Sequence, residues 1–261
     1  MSMQHLQYEL QDQVARITLN RPEQLNALCA PLHAELRECL ARAQDEARAL
    51  LLTGAGRGFC TGQDLSERRP GPNGERPDLW RSIDTVYKPL ILQLRSLRIP
   101  TVCAVNGVAA GAGVSIALAC DMVLAARSAR FIMAFVKIGL MPDSGATFFL
   151  PRLIGHARAA GLAMSGEPLG AEKARDWGMI WDCVDDDKLM VEAQALAQRM
   201  AAGPRLAYLR IRESLEQSTA NSLQTQLELE RDFMGELGRS DDYGEGVAAF
   251  AQKRAPQFTG A

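Results

Sequence analysis

The apolar and polar positions divide the chain into alternating short strands and helices. Val14-Ala-Arg-Ile-Thr-Leu19 alternates apolar and polar, which predicts a half-buried strand closed by Asn20-Arg21-Pro22. Residues 31–44 place Leu32, Leu36, Cys39 and Leu40 on one helical face, with Pro31 near the start, where a missing N–H costs little. Residues 49–53 are a continuous apolar run, the pattern of a strand buried on both faces. They lead into the glycine-rich turn Gly54-Ala-Gly56-Arg-Gly58. Pro, Gly and charge over 66–78 predict a surface loop.

Further along, the pattern predicts a helix over 79–97, a buried strand at 101–105, a turn at Asn106-Gly107 and a helix over 112–120. Strands at 121–126 and 130–133 follow, then helices at 144–154, 157–164 and 171–177 and a strand at 180–184. Beyond about 187 only helical sequence remains, rich in Ala, Leu, Glu, Gln and Arg. The reading is a mixed α/β core over 1–187 and a helical region over 188–261.

Composition narrows the function classes. With 47% apolar residues the chain can bury a sizeable core, and a net charge of −2 offers no single-sign field for nucleic acid or an anionic membrane. Residues 101–120 carry no charge, but Asn106-Gly107, Gly111, Gly113 and the following Asp121 favour strand, turn and buried helix over a membrane span. The six cysteines form no CxxC pair and sit in apolar company, the pattern of reduced thiols. The first residues show no signal peptide, so the expected location is cytoplasmic.

Several chemistries lack their residues. The 54–62 loop has Phe59 where GxGxxG needs glycine, and no GxxxxGK[ST] is present. The nearest approach to GxSxG, Gly113-Val-Ser115-Ile-Ala117, lacks its last glycine; His5, His33 and His156 are scattered, and no metal-ligand spacing is seen. Arg127, Arg130, Arg152 and Arg158 read either as phosphate contacts or, more ordinarily, as solvated surface.

Two features have chemical promise. Gly107-Val-Ala-Ala-Gly111-Ala-Gly113 precedes an apolar helix, whose first N–H groups lack internal partners and could hold a developing oxyanion; close helix–sheet packing explains the glycines equally well. Asp143 lies between apolar stretches, which suits a general base with a raised pKa, or else it caps the helix that follows. Asp121 reads as structural. Asp64 reads as orienting the first glycine loop.

Four segments together resemble the enoyl-CoA hydratase/isomerase (crotonase) superfamily: Asn20-Arg-Pro-Glu-Gln-Leu-Asn26-Ala27, Gly58-Phe-Cys-Thr-Gly62-Gln63-Asp64-Leu65, Pro100 to Gly113, and Ala119-Cys-Asp121. The resemblance spans nearly the whole chain. It implies a crotonase-type spiral of ββα turns, with a C-terminal helical region that drives assembly into a trimer or a dimer of trimers. It implies an acyl-CoA substrate and no separate cofactor or metal, since coenzyme A enters as part of the substrate. By position it implies an oxyanion hole made by the N–H groups of Gln63 and Ala112. The surrounding Leu25, Ala27, Thr61, Asp64, Leu65, Gly111, Gly113 and Phe135 would line the substrate site.

The departures from the family pattern carry most of the information. Where a hydratase of this family has two glutamates, this chain has Ser115 and Phe135, neither able to do acid–base work at neutral pH. Asp143 lies where several family isomerases keep a single carboxylate. Further segments, among them 51–60, 125–130, 177–181 and 227–232, resemble the branch of the family that isomerises a ring-epoxide CoA thioester to an oxepin and shifts a double bond in a later enoyl-CoA. Ala146 and Phe148 differ from the Gly and Trp expected in that branch. The expected activity is isomerisation of a CoA thioester with Asp143 as the proton carrier. Family alternatives are a hydratase, a hydrolase, or a non-catalytic assembly partner.

Overall fold

The computed structural model describes residues 3–69 and 74–260, so part of the predicted 66–78 loop lies outside the described residues. In chain order the elements are β1 (Leu6–Gln11), β2 (Val14–Leu19), α1 (Ala30–Glu46), β3 (Ala49–Gly54), β4 (Gly58–Cys60), α2 (Leu79–Ser82), α3 (Lys88–Ser96), β5 (Thr101–Val105), β6 (Val108–Ala110), α4 (Ala112–Leu118), β7 (Met122–Ala126) and β8 (Arg130–Ile132). Then come α5 (Ala146–Ile154), α6 (His156–Ser165), β9 (Leu169–Gly170), α7 (Ala171–Asp176), β10 (Asp182–Val184), α8 (Leu189–Ala201), α9 (Arg205–Ser218), α10 (Leu223–Leu237) and α11 (Asp241–Ala251). A π turn, Ile83–Tyr87, joins α2 to α3, and short 3-10 turns cover Pro22–Gln24, Leu65–Arg68 and Ala134–Ile138.

The strands form two sheets. One has the order β1-β2-β3-β5-β7-β10, and the other β4-β6-β8-β9. Within the first, β1 and β2 are an antiparallel hairpin and every later neighbour is parallel. Three consecutive strand pairs, β3–β4, β5–β6 and β7–β8, each place one strand in each sheet before the chain turns back. This is the repeating unit of a ββα spiral. The central strands β3, β5 and β7 are buried at nearly every position, as expected for parallel strands covered on both faces.

The short strands β4, β6 and β9 were not visible as pattern. Two or three residues next to glycines carry too little periodicity to register. The 101–120 stretch is β5, β6 and the seven-residue α4, and among the described residues no helix is long and apolar enough to cross a membrane. The six cysteines are free and buried.

Helix α8 packs on β3, β5 and β7 and buries Leu189, Ala193, Leu196, Ala197 and Ala201. Burial changes character only after it, one helix beyond the 187/188 division read from composition. Helices α9 and α10 bury no residue, and α11 buries only Asp242 and Ala249. Arg212 of α9 ties this region to the core. Its guanidinium pairs with Asp121 and donates to the carbonyls of Leu97 and Ile99. Asp121 also accepts from Thr101 N–H and Oγ, at 2.8 and 2.9 Å, which bears out its structural reading.

Candidate active site

Two main-chain turns meet where the sheets deliver β4 and β6. A Cβ on Gly62 would lie 2.9 Å from Ala110 O and 3.1 Å from Ala112 N, and one on Gly113 would lie 2.1 Å from Cys60 O. The two turns therefore touch backbone to backbone, and glycine is required for that approach. Gly111, at φ 51 and ψ −126, holds a conformation closed to other residues and starts α4.

Accounting for the N–H groups leaves several of them without an acceptor among the described residues, Gln63, Ala112 and Gly113 included. Gly111 N–H donates to Ile132 O at 2.9 Å, and Asp64 N–H to Leu28 O at 2.9 Å. The N–H groups of Gln63 and Ala112 donate to no acceptor among the described residues. Ala112 is the first residue of α4, where an N–H has no partner within the helix. Two adjacent open donors, one of them at a helix start, can bind a carbonyl oxygen and hold the negative charge that develops on it.

A polar frame fixes the first turn. Leu25 and Asn26 are left-handed at φ 49 and 57. Asn26 is fully buried; it accepts from Arg21 N–H at 2.8 Å and donates to Ala55 O and Gly58 O at 2.9 and 2.8 Å. Arg21 pairs with Asp64 at 3.0 Å and donates to Ala27 O. Thr61 N–H and Oγ donate to Leu25 O at 3.2 and 3.4 Å. Asp64 also accepts from Ser66 N–H and so caps the Leu65–Arg68 turn, the orienting role expected of it. The Ser66 and Arg21 bonds hold its carboxyl below the usual range.

Asp143 comes close to this pair through α4. Ser115 is three residues after Ala112, on the same helix face, and its hydroxyl donates to Asp143 O at 3.0 Å. The capping alternative fails: α5 begins at Ala146 behind Gly145, and no side chain caps it. The Asp143 carboxylate accepts only from Ser144 Oγ, at 2.9 Å, among the described residues. Ser144 and Gly145, at φ 53 and 84, make the turn that presents it. Burial raises the Asp143 pKa above its ordinary value, opposed by the Ser144 hydrogen bond and the positive charge of Arg68.

Of the residues expected at the site, Leu25, Ala27, Thr61, Gln63, Asp64, Gly111, Ala112, Gly113, Phe135 and Asp143 are joined by these contacts. The Phe135 ring lies beside Gly111, 3.8 Å from where a Cβ would stand. Leu65 is instead 54% exposed at the start of its turn. Arg127 pairs with Glu172 and Asp185, and Arg152 and Arg158 lie over the rings of Phe148 and Trp177, so the four surface arginines give no phosphate cluster. Arg130 donates to the carbonyls of 127–129. Among the described residues no group of three or more His, Cys, Asp or Glu is gathered for a metal.

Tyr87 and Arg68 were not singled out from sequence. Both donate to Gln63 Oε1, at 2.7 and 3.0 Å. Neither lies in a motif, and the π turn that ends at Tyr87 leaves no periodic trace.

Comparison with known proteins gives the family of the chain. The sequence model of the enoyl-CoA hydratase/isomerase family matches residues 9–261. The chain belongs to this family. Among relatives of the family it is 53% identical to the 1,2-epoxyphenylacetyl-CoA isomerase of Escherichia coli (strain K12), over 95% of each chain. It is 46% identical to a probable enoyl-CoA hydratase of Rhodobacter capsulatus, over all of both chains. The fold superimposes on the crystal structure of enoyl-CoA hydratase from Bacillus anthracis with a TM-score of 0.91 at 30% identity, covering 99% of this chain and 100% of that one. The protein is thus an enzyme of the enoyl-CoA hydratase/isomerase family with a crotonase fold.

Proposed function

We propose that the protein isomerises CoA thioesters, converting ring-1,2-epoxyphenylacetyl-CoA to oxepin-CoA and shifting the double bond of a 3-enoyl-CoA such as a dehydroadipyl-CoA to the 2-position. The observation that carries this reading is the state of the carboxylates near the two open N–H groups. Asp64 is engaged by Arg21 and Ser66, and Glu67 by Ala30 N–H and the Gln63 amide. Asp143 has one hydroxyl donor and a raised pKa. By the family resemblance, Ser115 and Phe135 take the positions of the glutamates with which a hydratase activates water. The name of the Escherichia coli relative supports the ring-epoxide substrate.

In this mechanism the thioester oxygen accepts from Gln63 and Ala112 N–H. Asp143 takes the proton α to the carbonyl, and the electron pair moves onto the oxygen as an enolate stabilised by the hole. For the 3-enoyl substrate the protonated Asp143 returns the proton to the γ-carbon, and the double bond becomes α,β. For the epoxide the C–C bond under the epoxide oxygen opens to the seven-membered ring, and the proton returns to that ring. Both conversions conserve every atom. No cofactor beyond the substrate's own CoA enters.

The test is turnover of a 3-enoyl-CoA and a 2-enoyl-CoA, followed by ultraviolet absorbance and mass. Conversion of the 3-enoyl to the 2-enoyl compound at constant mass is expected. Asp143→Asn should lower kcat by about 10²–10⁴-fold while substrate still binds. Normal turnover by that variant would refute the assignment. The name of the Rhodobacter relative favours a second reading, a hydratase, which would add one water to the 2-enoyl compound.

Helices α9–α11 support a homo-oligomer. Their Leu215, Leu223, Leu227, Met234, Val247 and Phe250 are all more than half exposed, and apolar side chains of that kind suit an interface between copies of the chain. A solution mass of a trimer or hexamer is expected by light scattering. The mass of a single chain would overturn this part.

A further inference from the structure

Gln63 contributes two things to the site, an open main-chain N–H and a side-chain amide held at both ends. Its Oε1 accepts from Tyr87 Oη at 2.7 Å and from Arg68 Nη2 at 3.0 Å, which fills both acceptor positions. Its Nε2 faces Leu28 O, Asp64 O and Glu67 Oε2 at 3.2 to 3.3 Å.

Tyr87 is built to stay in this place. It is 2% exposed, and its ring packs edge-on against His33 with centroids 4.6 Å apart. It ends the π turn Ile83–Tyr87, whose extra residue rotates the following chain by about 100° relative to an unbroken α-helix. Arg68 is anchored in turn by its bond to Ser82 Oγ, one residue before that π turn. Burial and the negative charge of Asp143 raise the Tyr87 pKa, so the phenol keeps its proton and remains a donor.

An unrestrained glutamine has a carbonyl that can turn back onto nearby main-chain N–H groups, as short polar side chains commonly do. At this site the nearby N–H groups without an acceptor among the described residues include those of Gln63 and Ala112. Filling them with the enzyme's own amide would compete directly with the substrate carbonyl.

We propose that Tyr87, together with Arg68, is a positioning residue that restrains the Gln63 amide so that both oxyanion donors stay free and aimed at the thioester. The inference rests on the hole assigned above. It extends that hole to a tyrosine whose hydroxyl acts through the Gln63 amide.

The experiment is Tyr87→Phe, which keeps the ring against His33 and removes only the hydroxyl. Cinnamoyl-CoA serves as the probe, because its double bond has no γ C–H to shift and its absorbance reports polarisation of the thioester carbonyl. The native enzyme should red-shift the bound probe. In Tyr87→Phe the red shift should shrink, and kcat on the 3-enoyl-CoA should fall about tenfold with KM changed less than about twofold, as expected for misaligned rather than lost donors. Arg68→Met should move both readouts in the same direction. A full red shift and full kcat in Tyr87→Phe would overturn the positioning role. A lower melting temperature with an unchanged red shift per bound probe would also overturn it, and would reduce Tyr87 to a packing residue. No red shift in the native enzyme would instead refute the hole itself.

Discussion

The two turns that supply the open N–H groups do the same geometric job by different physics. The turn carrying Gln63 is held by side chains reaching it from elsewhere: Asn26, the Arg21–Asp64 pair, Arg68 and Tyr87. The turn carrying Ala112 is held by contact. Gly107 is pressed against Arg57 O and Gly113 against Cys60 O, each with room for no Cβ, and all of α4 is buried. One is a polar scaffold whose parts can be removed singly. The other is a packed joint that tolerates nothing added.

Substitution should separate them, with the largest effect on the packed side. Gly113→Ala puts a methyl 2.1 Å from a main-chain oxygen that cannot move without pulling β4 out of its sheet. The expected cost exceeds about 4 kcal/mol, enough to prevent recovery of soluble, folded enzyme. Gly161→Ala is the control: nothing lies within 4 Å of the added methyl, and a helix-interior glycine replaced by alanine should gain about 0.5–1 kcal/mol. A soluble Gly113→Ala protein of native melting temperature would break the distinction.

The same difference decides what could be read from sequence. The packed turn announced itself, because its requirement is local: glycines at 107, 111 and 113 before an apolar run. The central strands and most helices were legible for the same reason, since each shows its own periodicity. Asn26, Arg21 and Gln63 were marked only through the resemblance of their segments to a family. Tyr87 and Arg68 left no mark, because a hydrogen bond between residues 24 apart depends on how the chain folds between them. Asp143 stood out as a carboxylate among apolar residues. Which of its two readings held depended on two residues of helix boundary, and that is finer than periodicity resolves.

On the polar side losses should be graded. Asn26→Ala removes one buried acceptor and two donors, leaving Arg21 N–H and Ala55 O without their partner, whereas Gly58 O keeps a 3.3 Å bond from Asn106. Two stranded, part-buried groups cost at most about 3 kcal/mol together, so the variant should fold but unfold at lower urea. A loss under about 1 kcal/mol in that titration would mean the turn does not depend on its side chains, and the contrast with Gly113 would lose its physical basis.

The smallest expected effect lies where the polar scaffold is incomplete. His33 packs on Tyr87, is 5% exposed, and neither ring nitrogen has a hydrogen-bond partner among the described residues. Burial first, then the positive charge of Arg68, pushes its pKa down to about 4. The folded state then binds fewer protons than the unfolded state, where the ring titrates near 6.5. The stability associated with the neutral ring is whole above pH 6.5 and drains away as the pH falls from there towards 4. At pH 5 the loss is about 2 kcal/mol. His33→Leu removes the titrating ring and should flatten this acid limb between pH 7.5 and 5, while the packed joint at Gly113, whose Cys60 thiol is pushed up to about 12 by burial, contributes nothing to it. Melting temperatures of the native and variant proteins at the two pH values give the comparison directly. Parallel declines would show that acid acts elsewhere, and the side of the site built from polar groups would then be no more sensitive to pH than the side built from contact.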